Sequence, residues 1–178
     1  MKKRVLCLLV DGFEEMETVT PVDLLRRAGV EVVVASLHHI CATGRGAMRM
    51  MADALLADVD ATTFDLLLIP GGPGVEALRS DGRAAALAKD FAAAGMTVAA
   101  ICAAPLVLMD AGLLAGRRFT AYHSVRDELG GGLDDRVVVD GNLITSRGPG
   151  TAMDFSLALI GCLMGQDVVD QVAIEIMA

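Results

Sequence analysis

The stretch that decides the fold is Met96-Thr97-Val98-Ala99-Ala100-Ile101-Cys102-Ala103-Ala104-Pro105, which predicts a buried strand, a tight turn at Cys102 and the start of a helix. Small residues after the cysteine allow a sharp turn that directs the side chain outward, as in a nucleophile elbow. The helix start favours a thiolate because its free N–H groups carry partial positive charge. Most free cysteines are inert core residues, but this position predicts that Cys102 is a reactive thiol.

Length, composition and charge predict one acidic domain over residues 1–178. The chain has 54% hydrophobic residues, enough for a substantial core, and a net charge of −8. A negative surface opposes binding to nucleic acid and to anionic membranes. The apolar run Val5–Val10 is too short for a signal peptide, and no run is long enough to span a bilayer. We therefore expect a cytoplasmic protein with a small-molecule partner and with no nucleic-acid or membrane partner.

The cysteines are widely spaced and form no C-x-x-C pair, so the sequence predicts neither a zinc site nor a disulfide framework. Cys7 lies in an apolar strand and Cys162 at the end of an apolar helix, and we expect both to be small buried residues. Cys41 is expected in a loop or at a strand edge.

Apolar runs alternate with helical patterns along the chain. Four runs predict strands covered on both faces, as in a parallel sheet: Val5–Val10, Val30–Ser36, Phe64–Ile69 and 97–101. A hairpin is predicted over Val137–Thr145, with Asp-Gly-Asn at its turn. This order predicts an α/β doubly wound sandwich, with a mostly parallel sheet, helices on both faces and a late antiparallel hairpin.

Local signals place the remaining elements. Thr20 and Pro21 resemble an N-cap and a first helical residue, so we predict a helix from there to Gly29 and a separate turn over Glu14–Glu17. The other predicted elements are a short strand over Ala47–Ala52, a strand over Arg117–Tyr122, and helices over 81–94, over 106–114 and, last in the chain, from about Thr151.

Ligands of such sheets bind beyond the carboxyl ends of the strands, where three features of this sequence gather. Cys102 follows the fourth predicted strand, Gly71 and Gly72 follow the third, and a group of acids follows the first. One acid could serve the thiol as a proton carrier. Sequence spacing alone does not choose among Glu14, Glu15 and Glu17.

The loop Pro70-Gly71-Gly72-Pro73-Gly74 has two interpretations. It could be an ordinary β-turn, or its backbone N–H groups could stabilise an oxyanion. The loop lacks the Lys-Ser/Thr of a P-loop and the spacing of a dinucleotide fingerprint, so no nucleotide cofactor is expected.

Histidine is the usual partner of a catalytic cysteine, and His123 is the one histidine in the second half of the chain. It is a candidate catalytic residue, and the alternative is a histidine in a surface loop. The adjacent His38 and His39 would point to opposite faces of a strand, so we expect no metal site there.

Four motifs give the chain a specific resemblance that covers nearly its whole length. They resemble the ThiJ/PfpI superfamily, in the branch of the parkinsonism-associated deglycase: Glu14–Gly29, Pro70–Gly72, Ala99–Pro105 and Thr145–Thr151. The resemblance implies a flavodoxin-like homodimer with neither metal nor organic cofactor. It also implies that Glu17 is held protonated against the Cys102 thiolate, that the amides of Gly72 and Ala103 line an oxyanion site, and that Met16 faces the partner subunit.

The activities that the resemblance implies are those of a glutathione-independent glyoxalase, a deglycase of glyoxal-modified proteins and nucleotides, a peroxide sensor and a chaperone. We predict a cofactor-independent enzyme for methylglyoxal, glyoxal or their adducts, with Cys102 as nucleophile and Glu17 as general acid/base. The alternative is a redox-sensing stress protein or chaperone whose Cys102 is oxidised to a sulfinate. One departure from the family pattern is that 130–135 contains Leu133 and no histidine, which weakens the case for a catalytic triad.

Overall fold

The computed structural model describes residues 2–178. Its strands are β1 (Arg4–Leu9), β2 (Glu31–Ser36), β3 (Cys41–Thr43), β4 (Arg49–Met51), β5 (Ala54–Leu55), β6 (Leu66–Ile69), β7 (Thr97–Ile101), β8 (Val137–Asp140) and β9 (Leu143–Ser146). Its α-helices are α1 (Glu15–Arg27), α2 (Val75–Asp81), α3 (Arg83–Ala93), α4 (Pro105–Asp110), α5 (Arg126–Leu129), α6 (Ala152–Met164) and α7 (Gln166–Glu175).

Seven strands form one sheet in the order β5-β2-β1-β6-β7-β9-β8. The neighbours pair in parallel except β8 and β9, which form the antiparallel hairpin that the sequence predicts. The chain passes from β1 to β2 on one side and later returns to β6 on the other side of β1. The strand order therefore reverses between β1 and β6, which is where ligands bind in sheets of this kind.

The core has two layers, one on each face of the sheet, because successive strand residues point to opposite faces. In β1, Val5, Cys7 and Leu9 pack on the side of α1 and α6, whereas Leu6 and Leu8 pack on the side of α3 and α4. Helices on both faces of a mostly parallel sheet confirm the predicted fold class.

Helix α1 differs from the prediction because it runs continuously through Pro21. The helix starts early because Glu14 caps it: its carboxylate accepts the N–H of Glu17 at 2.8 Å, and its carbonyl accepts the Thr18 hydroxyl at 2.8 Å. Proline inside a helix costs about 3 kcal/mol. The burial of the apolar face of α1 against α6 and the sheet offsets that cost, so the predicted separate turn over Glu14–Glu17 is wrong.

The segment Arg117–Tyr122 is not the predicted strand and makes only an isolated bridge, between Thr120 and Leu133. It cannot join the sheet beside β7 because β6 and β9 already occupy both edges of that strand. The segment crosses over the sheet edge instead, where the N–H of Tyr122 donates to the carbonyl of Cys102 at 2.9 Å.

Other differences concern short elements and one cysteine. The strand predicted within Ala47–Ala52 is β4, which pairs with β3 in a separate antiparallel hairpin. The elements that were not predicted are β3, β5, α2, α5 and α7. Cys7 is buried as expected, and its burial raises the pKa of its thiol to about 12. Cys162 was expected inside but is exposed, because α6 turns this position away from its apolar face. Within residues 2–178, no helix combines the length and apolar character needed to cross a membrane.

Candidate active site

Cys102 lies at a strained turn directly after β7. Its φ is +66°, a left-handed conformation that non-glycine residues adopt rarely. Two backbone hydrogen bonds hold the turn in place: the Cys102 N–H donates to Ser146 at 2.8 Å, and its carbonyl accepts the N–H of Tyr122. Backbone strain of this kind persists only where surrounding contacts fix it, and it is typical of a nucleophile elbow.

Glu17 projects from the first turn of α1 and is completely buried. Its carboxyl faces the Cys102 side chain beside Gly71, whose N–H donates to Oε2 of Glu17 at 3.0 Å. Its Oε1 has no hydrogen-bond partner among residues 2–178. Burial raises the pKa of Glu17 to about 7, although the neighbouring Cys102 thiol lowers it.

Glu17 and Cys102 titrate as a coupled pair. Burial raises the pKa of the Cys102 thiol, and the negative charge of an ionised Glu17 raises it further. The backbone N–H groups of Gly72 and Ala103 lower it. Two negative charges this close are unfavourable, so the pair holds one proton over a wide pH range. When Glu17 carries that proton, its O–H can donate to a thiolate.

Gly71 and Gly72 bring the backbone of the β6 loop against this pair. A Cβ on Gly71 would lie 2.5 Å from Oε2 of Glu17 and 2.6 Å from Cβ of Cys102, so no larger residue fits. The Gly71 N–H is used by Glu17 and does not contact the thiol. The amides directed at the sulfur are those of Gly72 and Ala103.

A cavity of about 300 Å³ opens above the thiol. Sequence reasoning did not assign most of its lining, which comprises Glu14, Arg45, Gly72, Pro73, Ala103, Tyr122, Ser124 and Pro149. Glu14 was considered only as a proton carrier, but its carboxylate caps α1.

Arg45 reaches the cavity from the hairpin formed by β3 and β4. The backbone N–H of Arg45 donates to the carbonyl of Phe13 at 2.9 Å. The backbone N–H of Gly46 donates to the carboxylate of Glu15 at 2.7 Å. Glu15 therefore clamps the hairpin to α1, which leaves Glu17 as the acid that contacts the thiol. The turn Gly44-Arg45-Gly46 was the available sequence signal, but spacing could not show where this turn docks.

The structure does not bring a histidine to Cys102. His123 is exposed, and its ring packs on Tyr122 with 4.3 Å between centroids, beside a neighbouring cavity. His39 lies beyond β2, where its Nε2 is 2.8 Å from a carboxylate oxygen of Asp11. Within residues 2–178, no three His, Cys, Asp or Glu side chains are grouped in a way that could hold a metal ion.

One model of a known protein family matches most of this chain. A family model described as the DJ-1/PfpI family matches residues 3–161. The chain belongs to the DJ-1/PfpI family. This membership confirms the resemblance seen in the four sequence motifs, and the site described above lies within the matched region.

Three relatives are similar to this chain over most of their own length. Protein dj-1beta of Drosophila melanogaster is 40% identical over 97% of this chain and 96% of its own, and its crystal structure superposes with a TM-score of 0.94 over 100% and 99% of the two chains. A protein named deglycase from Pyrococcus abyssi is 38% identical, over 83% of this chain and 91% of its own. The glutathione-independent glyoxalase DJR-1.2 of Caenorhabditis elegans is 37% identical, over 93% and 91%.

Proposed function

We propose that this protein is a cofactor-independent enzyme that converts methylglyoxal, glyoxal or their adducts, with Cys102 as nucleophile and Glu17 as general acid/base. The observation that carries the proposal is the placement of the two buried side chains side by side against Gly71, where the pKa of Glu17 is raised to about 7. A carboxyl with this pKa can both give and take a proton at neutral pH. The names of the relatives from Pyrococcus abyssi and Caenorhabditis elegans support chemistry of this class.

The first step is addition of the Cys102 sulfur to the aldehyde carbon while Glu17 holds the proton that the pair shares, so that the sulfur reacts as a thiolate. A C–S bond forms, and the carbonyl electron pair moves to oxygen, where Glu17 protonates the alkoxide. The amides of Gly72 and Ala103 lie beside the sulfur and can donate to the developing negative charge. The product of this step is a hemithioacetal.

Proton transfer then converts the hemithioacetal into a thioester. The Glu17 carboxylate removes the proton from the former aldehyde carbon, and an enediol forms. The proton returns to the neighbouring carbon, so the aldehyde carbon is oxidised and the ketone carbon is reduced without an external oxidant. Water cleaves the thioester, which releases a 2-hydroxy acid and restores the thiolate.

Removal of a 2-oxoaldehyde from an adduct would use the same groups. The bond between the carbonyl carbon and the modified amine or thiol breaks, Glu17 supplies the proton for the leaving group, and Cys102 holds the carbonyl carbon. The cavity of about 300 Å³ is open enough for part of an adduct to remain outside. The glyoxalase and deglycase hypotheses therefore use the same site. They differ in that only the deglycase reaction releases an amine or thiol from the carbonyl carbon.

The second candidate function is redox sensing. Peroxide would oxidise the Cys102 thiolate to a sulfenate, and a second equivalent would yield the sulfinate, with one water released at each step. The observation that favours this role is the raised pKa of Glu17. Its protonated carboxyl can donate a hydrogen bond to a sulfinate oxygen. Of the two exposed thiols, that of Cys162 lies 3.5 Å from the Thr97 hydroxyl rather than beside a carboxyl.

The protein is further proposed to act as a cytoplasmic homodimer. Exposed apolar side chains project from α1, from the hairpin that Glu15 clamps to α1, and from α6, which packs on α1: Met16, Val19, Met48, Met51 and Met153. Apolar groups concentrated in one region are typical of a protein interface. All four cysteines are free thiols, as expected in a reducing compartment. Light scattering of the purified protein tests the dimer, and a monomer at micromolar concentration would contradict it.

The proposed reaction is tested by NMR of methylglyoxal turnover in D₂O. We expect lactate, with deuterium at C2 to the extent that the buried Glu17 carboxyl exchanges the abstracted proton with D₂O before returning it to the neighbouring carbon. Cys102→Ser should form no lactate above background, whereas Cys162→Ser, which removes an exposed thiol far from the site, should match the wild type. Absence of lactate with the wild type would contradict the proposed enzymatic activity.

A further inference from the structure

A second cavity of about 330 Å³ adjoins the thiol cavity, and Tyr122 and Pro149 form part of the wall of both. Part of its wall comes from the backbone segment that also holds Cys102 in place. Ser146 accepts the Cys102 N–H, and Arg147, the next residue, lines the second cavity. The motif Thr145–Thr151 therefore connects the two cavities, although the chemistry proposed above uses none of its side chains.

Arginines dominate the lining of this second cavity. Arg126 pairs with Asp134 at 2.8 Å, and Arg136 pairs with Asp154. Arg147 donates to the backbone carbonyl of Asp134 at 2.9 Å and has no ion pair within residues 2–178. The hydrogen bond and charge of Arg126, together with the charge of Arg147, lower the pKa of Asp134. Three arginines thus face two carboxylates, which leaves excess positive charge in a protein whose net charge is −8.

We propose that this second cavity is an anion subsite of the same active site, and that the substrate is a carbonyl compound carrying a carboxylate or a phosphate. The carbonyl carbon reaches Cys102, while the anionic group lies against Arg147. The planar guanidinium of arginine matches both anions with paired hydrogen bonds. The covalent steps are unchanged, since the anionic group takes no part in bond breaking. The assignment of a substrate class rests on the proposed enzyme, but binding of the anion does not.

Inorganic phosphate is the probe for binding. Tyr122 is the only tyrosine in a chain without tryptophan, and it lines both cavities, so its fluorescence reports on the site. We expect saturable phosphate binding, followed by fluorescence and by calorimetry, that weakens about tenfold in Arg147→Gln through loss of a charged hydrogen bond. Arg147→Lys keeps the charge and should retain part of the affinity. Arg118→Gln, at an exposed arginine outside the cavity, should bind like the wild type.

Turnover distinguishes the subsite from the enzyme itself. We expect Arg147→Gln to lower kcat/KM for 4,5-dioxopentanoate, a 2-oxoaldehyde with a carboxylate, about tenfold more than kcat/KM for methylglyoxal, because only the former carries an anion. Failure of the wild type to convert either compound would contradict the proposed enzymatic activity. The phosphate-binding measurement would still test whether the second cavity binds anions. Absence of phosphate binding, or equal affinities of wild type and Arg147→Gln, would overturn the subsite.

Discussion

The carboxyl of Glu17 faces the side chain of Cys102 and at the same time accepts the N–H of Gly71 at 3.0 Å. The two side chains come from elements that follow β1 and β7, which are separated in the sheet by β6. The loop after β6 supplies the Gly71 amide that fixes the carboxyl. All three strands therefore contribute to one proton-sharing pair.

The raised pKa of Glu17 predicts a pH-dependent stability. Its pKa is about 7 in the folded protein and close to 4.5 when unfolded. Between these values the folded state binds the proton more tightly, so this stabilisation is fully present below pH 4.5 and is lost as pH rises through 7. The difference amounts to at most about 3 kcal/mol.

Denaturant unfolding of the wild type and Glu17→Gln at pH 5 and pH 8 measures this effect. Because the variant cannot ionise at position 17, its stability relative to the wild type should be higher at pH 8 than at pH 5. Identical pH dependence in the two proteins would contradict the raised pKa.

Gly71→Ala should disrupt the pair without changing the chemical identity of either side chain. The new Cβ would meet Oε2 of Glu17 and Cβ of Cys102 at less than 3 Å, so one of them must move. Overpacking of this kind costs about 1–3 kcal/mol, and turnover should fall with it. The matched control is Gly161→Ala in α6, where the new methyl makes an ordinary 3.5 Å contact with Val169 and should be tolerated. Wild-type turnover by Gly71→Ala would argue against the pair as the reacting groups.

Arg45→Gln should shift the pH profile of turnover. The positive charge of Arg45 lowers the pKa of Glu17, so its removal should raise that pKa and move the corresponding limb of the profile to higher pH. Arg49→Gln, at an exposed position on the adjacent β4, should leave the limb in place. A profile that is unchanged in Arg45→Gln would show that this cation does not act on Glu17.

Limited oxidation should distinguish Cys102 from the other thiols. With substoichiometric peroxide, mass spectrometry of peptides should find added oxygen at Cys102 before Cys41 and Cys162, although both are more exposed. Cys7 is completely buried and should react last. Oxidation of the cysteines in the order of their solvent exposure would contradict the proposed preferential reactivity of Cys102.

The sequence predicted the fold well because buried parallel strands are continuous apolar runs. The strand ending at Cys102 is predicted over 97–101 and observed over Thr97–Ile101. Local rules failed where tertiary packing outweighs them: α1 passes through Pro21 because its apolar face is buried, and Arg117–Tyr122 finds both edges of β7 occupied.

The site was predictable in part. Position at the carboxyl ends of strands placed Cys102, the acids and the glycine loop together, but only the resemblance to a family selected Glu17. Arg45 was missed because its hairpin reaches the site through contacts with the segment before α1, and such docking leaves no local pattern in the sequence.

The most direct test of the account is the rate of methylglyoxal consumption by the wild type, Glu17→Gln and Cys102→Ser, measured at pH 7 with Cys162→Ser as control. We predict turnover by the wild type and the control, loss of about 100-fold or more without the acid/base, and no turnover without the nucleophile. Consumption by Cys102→Ser at the wild-type rate would contradict the account.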